Sequence, residues 1–234
     1  MFLFFKKSVI TLECYTYVDY IKELYPIIEA SKIVPEWFSK MKGDYLVDDL
    51  FPRSTIKKCP AIVKNITSGI IIPLWSDLAL KNDVYNKKYS WAFSDGTPCE
   101  PHDRTQWDAF KNPEEVMHLK LLSPWKFRTK QNTKFIWQNP YYHKTNPYIE
   151  VVQGIDCYQH THSTTINCFV KTNENYNTLI RAGSPIVHLI PLTDSIVKIK
   201  NIIISKEEWD KLETPSATFQ GRHKLASKCP FHKK

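Results

Sequence analysis

Hydrophobic and polar residues change period twice along the chain. The opening MFLFFKKSVITLECYTY is rich in aromatic and β-branched residues and predicts one or two strands. From 18 to 42 the period lengthens. Ile21 and Leu24, then Trp37, Phe38 and Met41, fall at helical spacing, broken at Pro26 and reopened at Pro35, which predicts two short helices. A third is expected from about Cys59 to Ser68, with Pro60 in its first turn and Gly69 as a left-handed stop.

Beyond Gly69 the period falls to two. GIIIPLWSDLAL, KYSWAF, VMHLKLL, KFIWQN, YIEVVQG, TTINCFV, NTLIRAG, PIVHLIPL and SIVKIKNIII are short β-branched or aromatic segments separated by Asn, Pro, Asp or Gly turns. This spacing predicts a mainly β (α+β) fold: antiparallel sheets packed as a sandwich or closed as a jelly-roll, cupin-like barrel with a few short peripheral helices. Ser205 followed by Glu208 reads as a capping box opening a last helix. The expected organisation is a single β-rich domain over 1–234, with a helical segment at about 18–68 and a basic C-terminal helix and tail at about 205–234.

Composition supports one domain, because 234 residues with 42% hydrophobic content suffice for one large core. Glycine is scarce at 6 and proline plentiful at 15, which favours extended strands and rigid loops. No apolar run reaches the roughly 18 to 20 residues that span a bilayer, and MFLFFKKSVITLECY carries its charges after its apolar residues, unlike a signal peptide. A soluble, cytoplasmic protein with no membrane partner is expected. Six cysteines, spread along the chain with no CxxC pair, predict reduced thiols. The net charge of +8 is carried by scattered lysines with acidic residues between them and no specific nucleic-acid motif. It predicts a solvated basic surface, with weak attraction to an acidic partner as the alternative.

Two stretches carry candidate chemistry. In GIDCYQHTHSTT, Gly154 precedes His160 and His162, which alternate on a strand and can point the same way. With His188 they form a candidate three-histidine centre for a divalent metal such as iron. The alternative is solvent-facing histidines near a Thr/Ser-rich turn. In CEPHDRTQWDAF, His102, Asp103, Arg104, Gln106 and Trp107 concentrate hydrogen-bonding groups in a loop. His102 and Asp103 are equipped to act as acid, base or ligand; the alternative is a surface loop anchored by Trp107 and Phe110. Trp75, Trp91, Trp107, Trp125 and Trp137 fall in or beside the β-rich segments, where they line a pocket or fill the core.

The spacing from Gly154 to His162 resembles the first half of the cupin motif. The second half differs: no glutamate follows at the expected offset, where Asn167 is nearest, and His188 stands in another context. Across most of the chain, PEWF (35–38), TIKKCPAI with TSGIIIPLWSDL (55–78), His102 with Gln106, SPW (123–125), GID (154–156), Asn167 and AGSPIVHLIP (182–191) resemble a family encoded by marine tailed phages and some bacteria, one that supplies no activity to carry over. That family has Asp-x-Asp where this chain has Asp156, Cys157 and Tyr158, and often glutamine in place of His188. The resemblance singles out His102, Gln106, Asp156 and Asn167.

Two functions are therefore expected. One is a small-molecule-binding β-sandwich protein of the metal-dependent, non-haem iron oxidoreductase type, with His102 and Asp156 catalytic and Gln106, Trp75, Trp91, Trp107, Trp125 and Asn167 binding the ligand. The other is a non-catalytic phage protein that binds a host component or forms part of a virion.

Overall fold

The computed structural model describes residues 8–47, 51–159 and 164–212. Strand accounts for 42% of the structure and helix for 17%, so the protein is mainly β. The first strands are β1 (Val9–Thr16), β2 (Ile28–Glu29), β3 (Asp44–Val47), β4 (Phe51–Ser54), β5 (Ile70–Pro73), β6 (Leu78–Asp83), β7 (Lys88–Phe93) and β8 (Cys99–Pro101). They are followed by β9 (Val116–Leu121), β10 (Lys126–Arg128), β11 (Lys134–Gln138), β12 (Ile149–Val151), β13 (Gly154–Cys157), β14 (Ile166–Lys171), β15 (Tyr176–Ile180), β16 (Pro185–Pro191) and β17 (Ile196–Ile203). The α-helices are α1 (Asp19–Leu24), α2 (Glu36–Lys40), α3 (Pro60–Thr67) and α4 (Lys206–Lys211).

Among the described residues these strands form the sheets β10-β1-β17, β13-β11-β16-β5-β2, β12-β14-β9-β8 and β15-β6-β7, and the hairpin β3-β4. Pairing is antiparallel except between β1 and β17, which run parallel from Val9 opposite Ile196 to Thr16 opposite Ile203. The burial of these strands follows their position. In β1, Ile10, Leu12, Cys14 and Thr16 alternate inward. Ile70, Ile71 and Ile72 of β5 lie inside a sheet covered on both faces, so their run is continuously apolar. One core unites Ile70, Ile72, Val187 and Leu189 of the five-stranded sheet with Leu119, Leu121, Ile166 and Val170 of the four-stranded sheet.

The helices stand where the period predicts them. Pro60 opens α3, Ser68 caps it, and Gly69 follows with φ of 78°. Both halves of the Ser205–Glu208 capping box form at α4. Two stretches depart from the expectation. The segment 18–68 is not purely helical, because β2 and the β3–β4 hairpin interrupt it. GIIIPLWSDLAL is two strands, not one, because the chain passes between sheets at Leu74–Asp77. There Leu74 exchanges backbone bonds with Gly183 and Ser184, and the Asp77 carboxylate accepts from Ala182 N–H and Arg181. No helix among the described residues is long and apolar enough to cross a membrane.

Candidate functional site

Alternation on the four-stranded sheet sends Leu119, Leu121, Ile166, Cys168 and Val170 into the core and their neighbours to the opposite face. On that outer face the register sets Glu150 beside Phe169 and Phe169 beside His118. The His102 N–H bonds the His118 carbonyl at 2.9 Å, which continues the row onto the segment after β8. Glu150, Phe169, His118 and His102 thus cross four adjacent segments side by side.

The chain after His102 folds back over this row. The Asp103 carboxylate caps a short turn by accepting from Thr105 N–H at 2.9 Å and the Thr105 hydroxyl at 2.6 Å, bonds that hold its carboxyl below the usual carboxylate range. Arg104 pairs with Glu114 at 2.8 Å. The turn delivers Trp107 onto the row, its ring edge-on to His118 at 6.4 Å and to Phe169 at 5.7 Å, and buries it. This is why Phe169, although it points away from the core, is only 4% exposed.

His102 lies at the centre of the polar contacts. Its Nδ1 is 2.7 Å from Gln106 Oε1 and its Nε2 3.2 Å from Asn167 Oδ1. Two carbonyl oxygens are satisfied together only by a ring that carries both protons; beside a neutral ring, one amide must present its NH₂ instead. The His118 ring stacks on His102 with centroids 4.2 Å apart. Burial, reinforced by the adjacent His102, pushes the His118 imidazole below its ordinary value. Trp107 Nε1 is buried without a hydrogen-bond partner among the described residues, and the two His118 ring nitrogens are buried with no well-formed hydrogen bond, although the Asn167 amide is near enough to oppose the lowering of the His118 value. Orphans of this kind cost about 1–3 kcal/mol each, and here they gather at one point.

At the Phe169 end the row opens into a cavity of about 600 Å³. Phe110, Phe169, Tyr141 and Tyr142 supply aromatic walls, and Asn65, Gln138, Asn139 and Gln153 supply amides. Its charged side chains, Lys111 and Glu150, pair with each other at 3.4 Å, and the Lys111 ammonium also sits over the Phe169 and Phe110 rings at 5.6 and 5.7 Å. Trp37 of the PEWF stretch fixes one wall by donating its indole N–H to the Tyr142 carbonyl at 2.8 Å.

The structure brings together His102, Gln106, Asn167 and Trp107, and adds His118, Phe110, Phe169, Lys111 and Glu150. A polar His118 at the outward position of an otherwise alternating strand was the available signal for the first of these. The remaining candidates lie elsewhere. Trp75 stacks on Phe93 at 5.1 Å and is fully buried with Trp125 in the core, while Trp91 donates to the Cys99 carbonyl at 3.0 Å. Asp156 is on β13 of the five-stranded sheet, opposite Phe135, where burial pushes its carboxyl up. His188 is buried on β16, and its Nε2–H donates to the Ser68 carbonyl at 2.7 Å, leaving Nδ1 alone for any metal. His160 and His162 lie outside the described residues. Among the described residues no group of three or more His, Cys, Asp and Glu side chains is arranged to hold a metal ion. No family model, curated protein or solved structure matches the chain.

Proposed function

We propose that the protein binds a small organic molecule in the 600 Å³ cavity, with the His102–His118 pair behind one wall of the site, in contact with it through Phe169. One observation carries this reading: Phe169 is both a wall of the cavity and a neighbour of the His118 ring, 5.1 Å away, so the ligand space and the unsatisfied polar atoms share one residue. The volume lies within the roughly 300–1,000 Å³ of small-molecule sites, and aromatic walls with a few polar groups are their usual lining. His118 does not line the cavity; its ring nitrogens are buried behind Phe169, so it acts on a bound molecule through the wall that Phe169 forms. The shared core between the two larger sheets supports a sandwich as the scaffold.

A ligand-observed NMR screen of small polar fragments against the full chain tests this. Hits should then shift or broaden the His118 ring protons in protein-observed spectra of the wild type, and should be lost in Phe169→Ala. A screen with no hit, or hits that persist in Phe169→Ala while it remains folded, overturns the assignment.

A further inference from the structure

Resting on that reading of the cavity, we infer that its ligand is an uncharged saccharide, recognised as part of a chain. Charge excludes the common anionic ligands first. Lys111 and Glu150 are the charged lining residues, and they neutralise each other, so a phosphate or carboxylate entering here finds no unpaired cation. The polar lining is made of amides instead, of which Asn139 already accepts from Val151 N–H, and amides carry donors and acceptors together, the complement of a hydroxyl group that both donates and accepts. Asn65 lines the cavity, and its buried Oδ1 has no hydrogen-bond partner among the described residues.

The apolar part of the lining has a matching form. Phe110 and Tyr141 are 72% and 79% exposed at the cavity rim, where their rings are open to a bound molecule. A flat ring presented to solvent beside amides suits a pyranose, whose C–H face stacks on the ring while its equatorial hydroxyls reach the polar groups. Extension follows from Asn65, which also lines a second groove of about 1,060 Å³ bordered by the hydroxyls of Ser31, Thr67, Ser68, Thr193 and Ser195. A ligand that extends past Asn65 meets these hydroxyls together with the charged side chains Glu29, Lys64, Asp194 and Lys198, of which Lys64 and Asp194 pair with each other at 3.6 Å and Glu29 pairs with Lys32 at 3.1 Å. A peptide adding to the exposed edge of β12 fits less well, because the Val151 N–H it would need already donates to Asn139 Oδ1 at 2.8 Å.

The test is saturation-transfer NMR and calorimetry on the full chain with lactose, cellobiose and N,N′-diacetylchitobiose, alongside adenosine, uridine and a proline-rich peptide. At least one disaccharide should bind, and Phe110→Ala and Tyr141→Ala should each weaken it by about tenfold. Tyr85→Ala, which removes an exposed ring that lines neither cavity, should leave binding unchanged. Binding of nucleosides or the peptide in the cavity, with no disaccharide bound, keeps the cavity as a ligand site but overturns the saccharide assignment. Disaccharide binding untouched by either rim variant overturns its location. No binding by any of these probes, combined with an empty fragment screen, removes both readings.

Discussion

The imidazole rings of His102 and His118 lie within 20° of parallel with their centroids 4.2 Å apart. The His118 imidazole is held below its ordinary value by burial first and by His102 second, with the Asn167 amide opposing them. The sign of the pH dependence follows. A folded-state value below the ordinary 6.5 means that the unfolded chain takes up the proton more readily, so stability present above about pH 6.5 is lost as the pH falls below it. His188 and His143, lowered chiefly by burial, act in the same direction. Asp156, raised by burial, acts oppositely, since its contribution is lost as the pH rises above the ordinary carboxyl value of 3.8. Urea midpoints should fall from pH 7 to pH 5, and His118→Phe should lessen that fall. An unchanged pH profile in His118→Phe would refute the burial of His118.

Trp107 holds the loop down. Its ring is buried against His118 and Phe169, so Trp107→Ala should destabilise by about 3 kcal/mol through the lost contacts and the cavity left behind. Trp107→Phe should cost no more than about 1 kcal/mol, because it keeps an aromatic cap and deletes an indole N–H that has no partner among the described residues. Denaturant titration measures both. Equal losses would mean that the indole nitrogen is satisfied in solution.

His102 joins the loop to the sheet through its two amide partners. His102→Ala should leave the fold intact, since the residue is half-buried and lies outside the core, while releasing Gln106 and Asn167. In a double-mutant cycle, His102→Ala and Asn167→Ala should be coupled by about 0.5–1 kcal/mol, with the coupling absent between His102 and Glu100. Additive effects for the first pair would show that the imidazole–amide contact contributes nothing to stability.

Much of this architecture could be read from the chain because local rules and tertiary demands agree. The alternation in VMHLKLL and TTINCFV became β9 and β14, and Pro60 and Gly69 bracket α3, since backbone chemistry decides those features within a few residues. The site was half legible. His102, Gln106 and Trp107 are neighbours in sequence, and their polarity in a loop marked them. Phe169 and His118 were hidden because a strand position facing away from the core reads as solvent-facing, and nothing local says that a loop from elsewhere will cover it. The tryptophans misled for the same reason in reverse: Trp75 and Trp125 carry no local sign that separates a ring in the core from one in a pocket.

Thiol reactivity should follow burial. All five described cysteines are free. Cys14 and Cys168 are buried, and burial pushes the Cys99 thiol up to about 12, so these three should react with a disulfide reagent only on unfolding. Cys59 and Cys157 are half-exposed and should react in the native protein, Cys157 more slowly to the extent that its thiol is held by Asn132 Oδ1 at 3.2 Å. In a Cys229→Ser background, two thiols should titrate natively and five after denaturation. A count below five in denaturant without reductant would show a disulfide among them.

Two glycines make opposite forecasts. Gly154 opens the GIDCYQHTH stretch, yet a methyl group added there meets nothing within 4 Å, and its backbone lies outside the left-handed region. Gly154→Ala should be neutral or stabilise by about 0.5 kcal/mol through the unfolded chain's lost freedom. Gly69 has φ of 78°, and a Cβ built on it would stand 2.2 Å from the Leu189 carbonyl oxygen on β16. Alanine there must either strain the turn between α3 and β5 or push apart two paired strands of the five-stranded sheet, at a cost of at least about 3 kcal/mol. The displacement would reach Ser68, whose carbonyl holds His188, and Asn65 of α3 at the junction of the two cavities. Gly69→Ala should therefore lower the melting temperature and also change the His188 ring resonances, whereas Gly154→Ala changes neither. If Gly69→Ala proved as harmless as Gly154→Ala, the close approach of α3's terminus to β16, and with it the shared wall at Asn65, would be wrong.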